Sequence, residues 1–170
     1  GRAVRAHIYD GLEKKVYAVD KQNLVPQGEY MPSLYIKLLS FFGFGEVAKF
    51  VDGILSYRPG PLVSQAEFPS HVPGVLFCFN SADPLGVRKL VKERQVPFIA
   101  HPISYAWFHN PVSMRHQYDA MLKIQAIWNQ VTIISAGNMV NGVMYTPQGE
   151  IVKPSVVEVG EGWQVSLVTW

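Results

Sequence analysis

The only cysteine of the chain, Cys78, ends the apolar run Gly74-Val75-Leu76-Phe77 and precedes Phe79-Asn80-Ser81-Ala82-Asp83-Pro84. Continuous apolar residues suit a strand covered on both faces. The residues after Phe79 read as a turn into a helix starting near Pro84, which Asp83 or Ser81 can cap. A thiol on a strand-to-helix turn lies near the backbone N–H groups of a helix start, which favour an anion and suit a nucleophile. The competing reading is inert packing, common for a lone cysteine on an apolar strand. A second chemistry-bearing stretch is residues 20–32, where Lys21 and Glu29 sit among two prolines and a glycine. Such a stretch cannot be regular structure for long, and loops of this kind carry chemistry more often than strands do.

These two stretches need elements to hold them. Residues 3–9 alternate as a strand, Asp10-Gly11 signals a hairpin, and residues 15–19 read as the return strand. Residues 33–54 are amphipathic and rich in Leu, Ile and Phe. Gly43 and Gly45 interrupt them, which predicts two short helices with a joint at Phe41-Phe42-Gly43-Phe44. Core packing competes there with an arm meeting an apolar ligand or a membrane surface. Residues 62–68 and 72–79 read as paired strands. A helix over 84–94 should turn Leu85, Leu90 and Val91 inward, and a short buried strand over 97–100 follows, completing a βαβ unit. Residues 103–110 form a loop crowded with aromatics. A helix over 113–130 with Met114, Tyr118, Met121, Leu122 and Trp128 on its apolar face leads to a strand over 131–136 and a second βαβ unit. Residues 142–146, 151–157 and 163–168 close the chain as antiparallel strands. The fold class is α/β with a mixed sheet.

A chain of 170 residues, 48% hydrophobic and 16% charged, can bury one ordinary core, and a net charge of +2 gives no reason to expect nucleic acid as a partner. No stretch reaches the roughly 18 apolar residues of a membrane span. One cysteine excludes an internal disulfide. The spacing of His101, His109 and His116 offers no compact ligand pair on one helix face, so loop or cap roles are expected and no metal. No cofactor is implied.

Several segments together resemble the nitrilase (carbon–nitrogen hydrolase) superfamily, and most closely its apolipoprotein N-acyltransferase branch. Lys21-Gln22-Asn23-Leu24-Val25-Pro26-Gln27-Gly28-Glu29-Tyr30-Met31-Pro32 looks like that branch's lysine loop, K-x-x-L-V-P-F-G-E-Y-x-P, with Gln27 the departure. Phe77-Cys78-Phe79-Asn80 is similar to the nucleophile segment I-C-Y-E. Ile103-Ser104-Tyr105-Ala106-Trp107-Phe108 resembles I-S-N-D-A-W-F, and Ala126-Ile127-Trp128-Asn129-Gln130-Val131 resembles R-A-x-E-N-Q-x. Pro147-Gln148-Gly149-Glu150-Ile151 matches the late hairpin. Five segments in order are far more specific than any single motif.

The resemblance implies a nitrilase-like α-β-β-α sandwich, with residues 1–170 as the C-terminal portion of one such domain and its N-terminal portion upstream of Gly1. It implies Cys78 as nucleophile, Lys21 as catalytic lysine, Glu29 as a further essential carboxylate, and the Phe79 backbone N–H as an oxyanion donor beside the lysine. Tyr30, Phe41, Phe42, Trp107 and Phe108 are the implied substrate-binding residues. The implied reaction passes an acyl chain from a phospholipid donor through a Cys78 thioester to the N-terminal cysteine amine of a lipoprotein. The setting would be a membrane surface, on the periplasmic side of a bacterial inner membrane.

Three positions depart from that pattern. Asn80, Tyr105 and Trp128 stand where the family has acidic residues, and the family's general-base glutamate is expected before Gly1, since Glu13 lies too near Lys21. Two other functions therefore compete with acyl transfer. One is a soluble amidase or nitrilase in which water accepts the acyl group, with a cytoplasmic setting. The other is a nitrilase-like binding module impaired in catalysis.

Overall fold

The computed structural model describes residues 2–26, 28–55, 57–60, 65–106, 112–138 and 140–168. They fall into two compact units, Gly1–Val63 and Ser64–Trp170.

The first unit begins with an antiparallel hairpin of β1 (Arg5–Asp10) and β2 (Lys15–Asp20), in register from Arg5 opposite Asp20 to Asp10 opposite Lys15. Tyr17 and Val19 alternate onto the buried face of β2. The open end is closed by a charge-assisted pair, Arg5 Nε donating to Asp20 Oδ1 at 2.6 Å and Nη2 to Oδ2 at 2.9 Å. That guanidinium holds the Asp20 carboxyl below its ordinary range. The helices α1 (Ser33–Phe41) and α2 (Gly45–Ile54) follow, as the glycine spacing predicts. Gly43 takes a φ of +85° at the joint, a conformation that costs a residue with a Cβ. The pair is turned inside out relative to an ordinary amphipathic hairpin. Helix α1 has no buried residue and α2 buries only Ala48. Phe41, Phe42, Phe44, Phe50 and Ile54 are all exposed.

The second unit is built on a five-stranded mixed sheet of order β3-β4-β5-β6-β7, comprising Gly74–Val75, Ile99–Ser104, Ile133–Asn138, Val140–Tyr145 and Ile151–Val152. The first three strands run parallel and the last two join antiparallel. Helix α3 (Pro84–Arg94) lies between β3 and β4, and α4 (Val112–Asn129) between β4 and β5. Both βαβ units expected from the sequence are therefore present, and the fold class is α/β. Helix α3 starts at the residue its signals name. The Asp83 carboxylate accepts from Leu85 N at 2.9 Å, and Pro84 fills the first turn. The core joins both helices to the sheet through Val87, Leu90, Leu122, Ala126, Ile99, Ile133 and Tyr145. A separate two-stranded hairpin, β8 (Ser155–Gly160) with β9 (Trp163–Leu167), follows the sheet.

Several sequence expectations are corrected here. No strand forms over the described part of 62–68: residues 61–64 lie outside the described residues, and Gln65–Glu67 is a 3-10 turn. The Gln65 side chain occupies the edge of β3 instead. Its Nε2 donates to Val75 O and its Oε1 accepts from Val75 N, both at 2.8 Å, so one amide replaces a neighbouring strand. Helix α3 buries Val87, Leu90 and Arg94, with Val91 packed on the same core; Leu90 and Val91 turn inward as expected, while Leu85 is exposed. In α4 the stripe is Tyr118, Leu122, Gln125 and Ala126, which leaves Trp128 off its edge and 74% exposed. The closing strands also divide: β7 completes the main sheet, whereas β8 and β9 pair only with each other.

Strand β5 carries a bulge between Ser135 and Gly137 in its pairing with β6, while its unbroken register with β4 sets Gly137 opposite Ile103. A Cβ at Gly137 would fall on the Ile103 backbone carbonyl, so the strands can approach this closely only over glycine. Gly137→Ala is expected to lower the stability of this unit by about 1–3 kcal/mol, read as a shift in the urea midpoint.

Candidate functional site

Cys78 sits where β3 gives way to a turn. The ladder runs slightly past the strand, with Leu76 N donating to Ala100 O at 3.0 Å. The chain then leaves the sheet at Phe77, and Cys78 opens the 3-10 turn Cys78–Ala82 with a φ of +31°. This shortens the strand expected over 72–79 and supplies the strand-to-helix turn that the sequence suggested. A non-glycine residue at positive φ is held there at a cost of about 1–3 kcal/mol, and such residues concentrate at functional sites.

The surroundings hold that backbone in place. The Cys78 carbonyl lies 2.7 Å from Ser81 Oγ, which donates to it, and 3.1 Å from His101 Nε2. A carbonyl only accepts, so His101 carries its proton on Nε2. Its Nδ1, 2.9 Å from Ser135 Oγ, then accepts the serine proton. His101 and Ser135 are buried and paired in register across β4 and β5. Burial pushes the His101 ring down to about 4, partly opposed by its bond to the Cys78 carbonyl, so the ring is neutral at physiological pH.

The thiol itself is partly buried against the cluster of Ile103, Tyr105 and Tyr118, on which Met114 and Met121 also pack. Its Sγ is 3.9 Å from Tyr118 Oη. Tyr105, standing where the resemblance has a carboxylate, is buried edge-on to the Tyr118 ring at 5.6 Å. Burial first, then the nearby charges of Asp119 and Cys78, push its phenol up to about 12. Asn80 keeps its Oδ1 buried with no hydrogen-bond partner among the described residues.

In the first unit, Lys21 and Glu29 form a buried ion pair. Lys21 Nζ donates to Glu29 Oε1 at 2.6 Å and Oε2 at 2.8 Å, and Val25 N donates to Oε2 at 2.8 Å. The loop is compact because Gly28 N and Glu29 N both return to Val25 O. Residues 57–60 pin it from outside, through Tyr57 N to Glu29 O and Gly60 N to Lys21 O. Both side chains are buried, so neither is a solvated surface charge. Tyr30 lines a cleft of about 440 Å³ with Gln22, Leu24, Tyr57 and Arg58.

The structure thus brings Lys21 to Glu29, and Cys78 to His101, Ser135 and Tyr118. Phe41 and Phe42 lie at the exposed helix joint, their rings edge-on at 5.3 Å. Trp107, Phe108 and His109 lie outside the described residues. His101 corrects an expectation, for it belongs to strand β4 and not to a loop. Its role was nevertheless encoded. In Ile99-Ala100-His101-Pro102-Ile103 it shares a face with two buried isoleucines, and a histidine there must find polar partners. Compared with protein-family models and with curated proteins, the chain matches none.

Proposed function

We propose that this chain is a nitrilase-like domain, of the α-β-β-α sandwich type, that transfers a lipid acyl chain through a thioester on Cys78. The observation that carries the reading is the backbone of Cys78, held at positive φ where a buried strand meets a turn, with its side chain packed on the buried cluster of Ile103, Tyr105 and Tyr118. Structural cysteines need no such strain.

In the first step the Cys78 sulfur attacks the ester carbonyl of a phospholipid. A C–S bond forms, the ester C–O bond breaks, and the lysophospholipid oxygen takes a proton. In the second step an amine attacks the thioester; the C–N bond forms, the C–S bond breaks, and the amine proton returns to sulfur. Lys21 and Glu29 take the charged roles that the resemblance gives them, and their buried bidentate pairing supports a fixed ammonium over a solvated one. The exposed phenylalanines of the α1–α2 hairpin favour a lipid donor on a membrane surface over a small polar amide. The acceptor would be the N-terminal cysteine amine of a lipoprotein. Among the described residues no helix is long and apolar enough to cross a membrane.

Incubation with phospholipid vesicles, followed by intact-mass analysis, should show one acyl adduct that Cys78→Ala abolishes. Rapid release of free fatty acid or ammonia from a soluble amide, with no lipid adduct, would replace this reading with hydrolysis. No adduct and no turnover would leave the non-catalytic binding module, which the neutral Tyr105 and Asn80 beside Cys78 favour.

A further inference from the structure

The Cys78–Phe79 peptide is held through its carbonyl. Its carbonyl receives the Ser81 hydroxyl at 2.7 Å and the His101 Nε2–H at 3.1 Å, and His101 is in turn fixed by Ser135 at 2.9 Å. No described peptide bond is cis. In a planar trans peptide the N–H points opposite to the C=O. Anchoring the carbonyl on Ser81 and on His101 of strand β4 therefore fixes the Phe79 N–H on the opposite side of the peptide plane's axis. Rotating this peptide would strip the carbonyl of two donors and leave the buried His101 proton unpaired.

We propose that His101, held by Ser135, is a positioning residue that locks the Cys78–Phe79 peptide so that the Phe79 N–H serves as an oxyanion donor to a carbonyl attacked by Cys78. The inference rests on the acyl-transfer reading, because only attack on a carbonyl develops an oxyanion. It adds a specific division of labour. His101 does not touch the substrate and does not carry a proton to or from sulfur. It acts on the orientation of one backbone N–H, and that orientation determines how strongly negative charge on the carbonyl oxygen is met. The buried, neutral ring suits this role, since it offers one fixed donor and one fixed acceptor.

The test compares two reactions of the same thiol. Cys78 is the only cysteine, so all labelling of thiol reports on it. Acylation by a p-nitrophenyl ester passes through a tetrahedral oxyanion, whereas alkylation by iodoacetamide is a direct displacement with no oxyanion. Both rates are measured on the full chain by intact mass, for the unaltered protein, His101→Leu, His101→Gln and Ser135→Ala. The expected result is a fall in the acylation-to-alkylation ratio of about 10-fold or more in His101→Leu, set against the 10²–10³-fold that removing an oxyanion donor outright costs. Ser135→Ala should lower the ratio several-fold, and His101→Gln, which keeps a side-chain N–H, should recover part of it. An unchanged ratio in Ser135→Ala and His101→Leu overturns the proposal. So does a parallel fall in both rates, which marks a merely structural role, and so does an unaltered thiol inert to both reagents. Where His101→Leu does not fold, the ratio in Ser135→Ala decides. Neither reagent is a phospholipid, so absence of a lipid adduct would sink the acyl-transfer reading without prejudging this ratio.

Discussion

Replacing Lys21 by Met is expected to destabilise the first unit by about 3–5 kcal/mol, the usual consequence of leaving one charge of a buried pair without its partner. Lys21 is 2% exposed and Glu29 9%. Among the described residues, two of the three hydrogen bonds at the Glu29 carboxylate come from the Lys21 ammonium, and the Val25 N–H would remain. The double variant Lys21→Met/Glu29→Leu removes both charges together and should lose distinctly less than the two single losses summed. Urea unfolding of the two single variants and the double variant measures this coupling. Additive losses would show that the pair is not a buried unit. If Lys21 also serves the acyl-transfer reaction, the double variant supplies the informative case: a folded protein in which adduct formation on Cys78 is nonetheless lost.

Acidification should weaken the second unit through His101. In the unfolded chain the ring takes up a proton as the pH falls through about 6.5, while in the folded chain it does so only near 4. Between those values the unfolded state binds more protons, so stability falls as pH is lowered. The contribution is whole above 6.5, and it is lost progressively until about 4. Integrated over that interval it amounts to about 3 kcal/mol. The carboxyl of Asp20 titrates below its ordinary 3.8, so its own loss lies beyond this window and in the other unit. Urea midpoints followed by tryptophan fluorescence across the window should slope upward with pH for the unaltered protein. In His101→Gln, which cannot titrate there, the slope should flatten. Equal slopes in the two proteins would place the titrating group elsewhere.

How far the sequence foretold this structure depended on whether the determining interactions are local. The Asp83-Pro84 start of α3 and the Asp10-Gly11 turn act over three or four residues, and the helix and hairpin formed where those signals stand. Parallel pairing of β3, β4 and β5 followed from strand–helix alternation, which admits few topologies. Side-chain direction was harder. Trp128 and Leu85 read as core on hydrophobicity alone, yet rotation of a helix about its axis is decided by the sheet it packs on. The expected strand over 62–68 failed for another reason: a single amide, Gln65, satisfies the β3 edge, and no periodicity announces that. At the site, the thiol on a turn was legible from its neighbours. The grip on its carbonyl was not, since Cys78, His101 and Ser135 are far apart in the chain and meet only through the register of β4 and β5.

The inverted hairpin of α1 and α2 has a consequence for how this protein can vary. Only Ala48 among its side chains is committed to the interior, so the interior places almost no demand on the identity of residues 33–54. Outside Gly43, whose φ is positive, substitutions at the exposed positions should carry little folding penalty. Phe41, Phe42, Phe44 and Phe50 are all exposed, so what they contact is set by their surroundings and not by the hairpin's own core. The hairpin can thus be retuned to a new environment without repacking its own interior.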